Sequence, residues 1–108
     1  MLRWLLIVAC LWAPVAAAQA PLRIVSTSPS ITEALFALGL GDRVAAVSQY
    51  CRFPPEVTRL PKIGTFLKPD VELIARLSPD LTIVHPGPNQ IERRLAIMKL
   101  PFLTVERG

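Results

Sequence analysis

The sequence predicts an α/β chain built on a parallel sheet, and three observations carry that prediction. Four short apolar runs rich in β-branched residues, 22–26, 43–48, 81–84 and 101–105, have the length and composition of buried strands. Between them lie stretches with helical apolar spacing and capping residues at their ends. The separations are too long for hairpins. Strands alternating with helices in this way are joined by right-handed crossovers, which makes the sheet parallel and covers both of its faces.

The first 20 residues stand apart from that pattern. Arg3 is followed by an apolar run from Trp4 to Ala13 and then by the small residues Ala16-Ala17-Ala18, the layout of a secretory signal peptide. The run is shorter than the ~20 residues that a membrane-spanning helix needs. Cleavage after Ala18 fits the small-residue rule and leaves 19–108 as one α/β lobe. Cys10 sits inside the apolar run, too early for the cysteine of a lipid-anchor box, so the expectation is export to the periplasm without an anchor. The exported part keeps a single cysteine, Cys51, which has no internal partner for a disulfide. It also holds the chain's single histidine, His85, and one His with one Cys are too few for a structural zinc site. The net charge of +4 is scattered, with Arg93-Arg94 the only adjacent basic pair. A nucleic-acid surface needs a clustered basic face.

In chain order, 22–26 reads as a strand ending in Thr27-Ser28-Pro29-Ser30. Ser30 and Glu33 have the spacing of a capping box, with Ser28 competing for the same duty. The helix that follows places Ile31, Ala34, Leu35 and Leu38 on one face and stops at Gly39. The run 43–48 delivers the chain to Tyr50 and to a proline-rich connection, 48–73, in which 60–64 has the look of a brief strand. Asp70 can cap a helix from Val71 to Leu77 that ends before Pro79. Glu72 lies in its first turn and Arg76 one turn later, a favourable solvent-facing spacing. After the strand 81–84 and His85, a second capping box, Asn89 with Glu92, opens a helix carrying Ile91, Leu95 and Met98. The strand 101–105 is last. Such an architecture calls for a further helix, and about 90 residues bury too little surface to be more than marginally stable alone. The chain reads as the truncated first lobe of a longer protein.

Ligands of open parallel α/β sheets bind beyond the carboxyl ends of the strands. Those ends carry Ser26-Thr27-Ser28, then Tyr50, then Phe66, then His85. Two aromatic rings and an imidazole with hydroxyls beside them suit a large, partly apolar ligand. The same residues also have plain structural uses: Tyr50 and Phe66 as loop plugs, His85 as a satisfied loop histidine, Ser28 as a helix cap. No catalytic set is legible, because there is one histidine and no strand-turn nucleophile motif. The Gly39-Leu40-Gly41 pair follows a helix where a dinucleotide fingerprint must follow a strand.

Taken together, RIVSTSPSITE at 23–33, YCRFPPE at 50–56, KIGTF at 62–66 and PDVELIARLSPDLTIV at 69–84 resemble the first lobe of periplasmic substrate-binding proteins of the helical-backbone class. These proteins serve ABC importers of iron–siderophores, haem and cobalamin, and the likeness is greatest to the cobalamin branch. The resemblance implies a Rossmann-like lobe, a second lobe joined by a long helix, and a ligand held between the two. It implies ligand contacts at Tyr50, Phe66 and His85, with an imidazole at 85 where the cobalamin branch has an indole. It implies that Glu72 docks onto arginines of an inner-membrane ABC permease. The function expected is therefore a non-enzymatic binding component, without a cofactor of its own, that captures a cobalamin-like or iron-chelate ligand. A metal-ion receptor of related architecture and an exported α/β enzyme are the alternatives. The first would need His, Asp and Glu ligands beyond this segment.

Overall fold

The computed structural model describes residues 23–65, 67–87 and 90–106. The leader expected at 1–18, Phe66 and Asn89 lie outside the described residues. Four strands form one sheet: β1 (Ile24–Ser26), β2 (Val44–Ala46), β3 (Leu81–Val84) and β4 (Phe102–Thr104), in the order β2-β1-β3-β4. Every pair is parallel, with Ile24 opposite Val44 on one side and Leu81 on the other, and Thr82 opposite Phe102. Three helices connect them: α1 (Pro29–Ala37), α2 (Val71–Leu77) and α3 (Ile91–Ile97).

The strand order explains where the helices lie. The step from β1 to β2 runs one way along the sheet, and the steps to β3 and β4 run the other way. With right-handed crossovers, α1 must cover one face while α2 and α3 cover the opposite one. Core packing follows this division. Ile24, Val44 and Ile83 pack with Ile31 and Leu35 of α1. Val25, Ala46 and Val84 pack with Val71 and Ile74 of α2 and with Ile91 and Leu95 of α3. Successive residues of β1 and β3 feed opposite cores, and in β2 a register shift puts Val44 and Ala46 on opposite sides, which is why the strands read as continuous apolar runs. Each large aliphatic side chain buried this way contributes about 1.5–3 kcal/mol.

The capping box expected at Ser30 does not form. Ser28 is the N-cap, with extended backbone (φ −153°, ψ 157°), and its hydroxyl accepts from the Ile31 N–H. Pro29 decides between the two serines: its fixed φ suits the first helical position, and it holds the preceding residue in the extended region that an N-cap requires. The helix ends at Leu38 and Gly39, the latter at φ +80°.

Helix α2 has the expected bounds, and the Asp70 carboxylate accepts from the Leu73 N–H at 3.0 Å. Helix α3 begins at Ile91 after Gln90 in a left-handed conformation, with no side-chain cap. The capping box expected between Asn89 and Glu92 falls on a residue outside the described ones, and the contact that Glu92 makes among the described residues is with β4. The Glu92 carboxylate accepts from the Thr104 hydroxyl at 2.6 Å and ties α3 to β4. The brief strand expected at 60–64 contracts to single bridges, Val47 with Lys62 and Gly64 with Pro69. Among the described residues no helix is long and apolar enough to cross a membrane.

Replacing the true N-cap, Ser28→Ala, is expected to lower the unfolding free energy by about 1 kcal/mol. The check is urea denaturation followed by far-UV circular dichroism; an unchanged midpoint would show that Ser28 does not cap α1.

Candidate functional site at the carboxyl rim

Strand order reverses between β1 and β3, and the crevice beyond their carboxyl ends is where an open α/β sheet accepts a ligand. Ser28 follows β1 and His85 follows β3, so the topology brings these two sequence-distant candidates to one place. A third residue joins them. The Ser30 hydroxyl lies 3.2 Å from Ser28 Oγ and 3.2 Å from His85 Nε2.

The proton positions follow from the partners. His85 Nδ1 lies 2.7 Å from the Val105 carbonyl, which can only accept, so Nδ1 carries a proton. In the neutral ring Nε2 is then an acceptor for the Ser30 hydroxyl, and Ser30 in turn accepts from Ser28. Donation runs from Ser28 through Ser30 and His85 to the end of β4. His85 is buried, at 6% exposure, and both of its nitrogens are engaged.

Ser30 and His85 have the contact of a nucleophile and its base, yet the surroundings do not suit acyl transfer. A main-chain carbonyl, that of Val105, takes the place at Nδ1 where a carboxylate would orient a catalytic ring. The adjacent Ile31 and Thr32 N–H groups are committed to Ser28 Oγ and Ser28 O, so neither is open to a developing oxyanion. Among the described residues no group of three or more His, Cys, Asp or Glu converges as metal ligands.

Tyr50 is placed differently. It sits at the tip of a turn closed by the Cys51 N–H on the Ser48 carbonyl at 3.1 Å, and it is 59% exposed. It follows β2, two strand positions from β3. The end of β1 thus lies between the strand that leads to Tyr50 and the strand that leads to His85. Phe66 lies outside the described residues. Glu72 is exposed in the first turn of α2, clear of the Ser28–His85 group.

Sequence reasoning missed Ser30 as the link between Ser28 and His85, and Phe53 stands in the same aromatic-rich stretch as the Tyr50 and Phe66 it singled out. The Phe53 ring is 65% exposed, three residues from Tyr50. The cluster of aromatics in 48–73 was the available signal for Phe53. A concavity of about 590 Å³ also opens beside the rim, between α1 and the β3–β4 half of the sheet. It is lined by Ile31, Leu35, Leu38, Leu103 and Val105, with Ser30 and His85 at one end.

A family model described as "Periplasmic binding protein" matches residues 24–108. The chain belongs to this family. Among curated relatives, the vitamin B12-binding protein of Vibrio cholerae is 36% identical over 80 residues, which is 74% of this chain and 29% of the relative. Among solved structures, the periplasmic vitamin B12 binding protein of Vibrio cholerae superposes with a TM-score of 0.72 at 32% identity, covering 78% of this chain and 34% of that one. The periplasmic heme-binding protein of Roseiflexus sp. RS-1 gives 0.73 at 33% identity, covering 81% and 34%. The chain therefore spans about a third of the length of the relatives it matches. The expected family and the parallel α/β architecture both hold.

Nitrogen-15 NMR of the labelled chain is expected to show His85 protonated at Nδ1 and bare at Nε2 in the neutral ring. The opposite tautomer would mean that the bond to the Val105 carbonyl is not made.

Proposed function

We propose that this chain forms half of the cargo-binding cleft of an ABC importer's substrate-binding component, acting in the periplasm on a cobalamin-like or iron-chelate ligand. The observation that carries the reading is the pairing of an exposed aromatic ring, Tyr50, with a polar group already satisfied within itself at the switch point. A flat ring supplies packing surface to a large planar cargo. A self-satisfied Ser28–Ser30–His85 group presents no unmade hydrogen bonds that burial under the cargo would strand. Membership of the periplasmic binding protein family, with vitamin B12-binding and heme-binding relatives, supports the same class of cargo.

In this reading His85 takes part by holding Ser30 and the end of β4 in place at the rim, since its ring is buried and both ring nitrogens are in use. Phe66, which lies outside the described residues, is the second aromatic ring that this reading assigns to the cargo. Glu72 serves a separate purpose, docking of the loaded protein onto a basic surface of the permease. Its carboxylate is exposed and sits in the first turn of a helix that runs antiparallel to the strands, so that this end of α2 faces the carboxyl rim.

Equilibrium titration with cyanocobalamin, haemin and a ferric catecholate siderophore tests the reading, and binding of none of the three would overturn it. Tyr50→Ala is expected to weaken binding by roughly tenfold or more, about 1.4 kcal/mol. Glu72→Ala is expected to lower transport while leaving cargo affinity at the wild-type value. An equal loss of both would remove the docking role.

A further inference from the structure

Beneath Tyr50 lies a buried group of hydroxyls and a thiol that the cargo reading does not use. Thr32, on α1, is its hub and is fully buried. Its Oγ1 lies 2.7 Å from Ser26 Oγ, 3.2 Å from the Ser28 carbonyl and 3.2 Å from Cys51 Sγ. Cys51 Sγ lies a further 3.1 Å from Ser48 Oγ. A hydroxyl offers one donor and two acceptor sites. Ser26 Oγ also reaches the Ser28 carbonyl, at 3.1 Å, so Thr32 and Ser26 share that acceptor as well as bonding each other. Each hydroxyl and the thiol has a partner within the group.

The positions of the members give the group its meaning. Ser48 and Cys51 are the two ends of the turn whose tip carries Gln49 and Tyr50. Both ends are buried, at 2% and 1% exposure, while Tyr50 at the tip is 59% exposed. Ser26 ends β1, and Thr32 sits one turn into α1. We propose that Thr32 is a positioning residue for Tyr50: through the Cys51 thiol it fastens both stems of the turn to the junction of β1 and α1, and so fixes the ring at the rim. A second tether, the Gln49 N–H on the Gly64 carbonyl at 2.7 Å, holds the tip from the other side. A tip residue with an exposed side chain has little packing of its own, so its orientation is set by its stems. The polar group costs less than it would in the open core because each member is satisfied within it. The proposal rests on the reading of Tyr50 as a cargo contact, and its first test does not require the cargo.

Three variants decide it. Thr32→Val keeps the shape and deletes the hub, Thr32→Ser keeps the hydroxyl, and Cys51→Ala cuts the link to the turn. Amide hydrogen exchange by NMR is the readout, together with the ring signal of carbon-13-labelled tyrosine, since Tyr50 is the chain's only tyrosine. In Thr32→Val and Cys51→Ala the amide of residue 51 is expected to exchange at least ~tenfold faster and the Tyr50 ring signal to move. The Thr82 and Val105 amides, bonded to Pro101 O and Val84 O, are expected to hold. Thr32→Ser is expected to match the wild type. Wild-type exchange at residue 51 in both disrupting variants would overturn the proposal, and so would a uniform acceleration at Thr82 and Val105. Should Thr32→Val fail to fold, Cys51→Ala severs the same link from the other end and decides alone.

Affinity for cyanocobalamin or haemin separates this proposal from the reading beneath it. No binding by the wild type, with the exchange difference intact, would remove the cargo reading and leave Thr32 as the anchor of the turn. A binding wild type whose Thr32→Val variant binds equally well would remove the positioning role. The expected result is a loss of about fivefold, restored in Thr32→Ser.

Discussion

Parallel strands cannot be joined by tight turns. Each of the three strand-to-strand steps here requires a crossover that leaves the carboxyl end of one strand and returns to the amino end of the next. From that single constraint the helices acquire their faces, the strands their apolar runs, and the carboxyl rim its role as the place where every outgoing loop collects. Because the chain reverses direction along the sheet once, at β1, the ends of β1 and β3 are left flanking a crevice with no connection across it. Ser28, Ser30 and His85 meet there because the topology leaves them nowhere else to meet.

Polar satisfaction then separates two kinds of rim residue. His85 and the serines are consumed in a donor chain that ends on the Val105 carbonyl, which stiffens the mouth of the crevice and removes the open donors that a catalytic site needs. Tyr50 and Phe53 stand out from the same rim with little of their surface covered. Satisfied polar walls with protruding rings fit the binding role proposed above, and this accords with membership of the periplasmic binding protein family.

Much of the fold was legible because its signals are local. The run LTIV and the helix opened by Asp70 fall where the sequence put them, since a β-branched run and a side-chain cap depend on near neighbours only. The failures are also local. Pro29 moved the cap from Ser30 to Ser28, and the brief strand expected at 60–64 shrank to single bridges at Lys62 and Gly64. The site was legible in outline, through the rule that ligands gather at strand ends. Its interior was not. Thr32 reads in sequence as an ordinary helix residue, and Cys51 as an orphan thiol. Only tertiary folding shows that they hold each other, at a separation of 19 residues.

The uncovered concavity between α1 and the β3–β4 half of the sheet bears on how this lobe behaves in solution. Leu38 is 74% exposed and Leu103 50% exposed along a face that parallel sheets ordinarily keep dry. Where an apolar surface of this kind meets water, association with other apolar surfaces is favoured. A preparation of this chain alone is thus expected to lose monodispersity as its concentration rises. Its practical shelf life would be set by that open flank more than by the strength of either core.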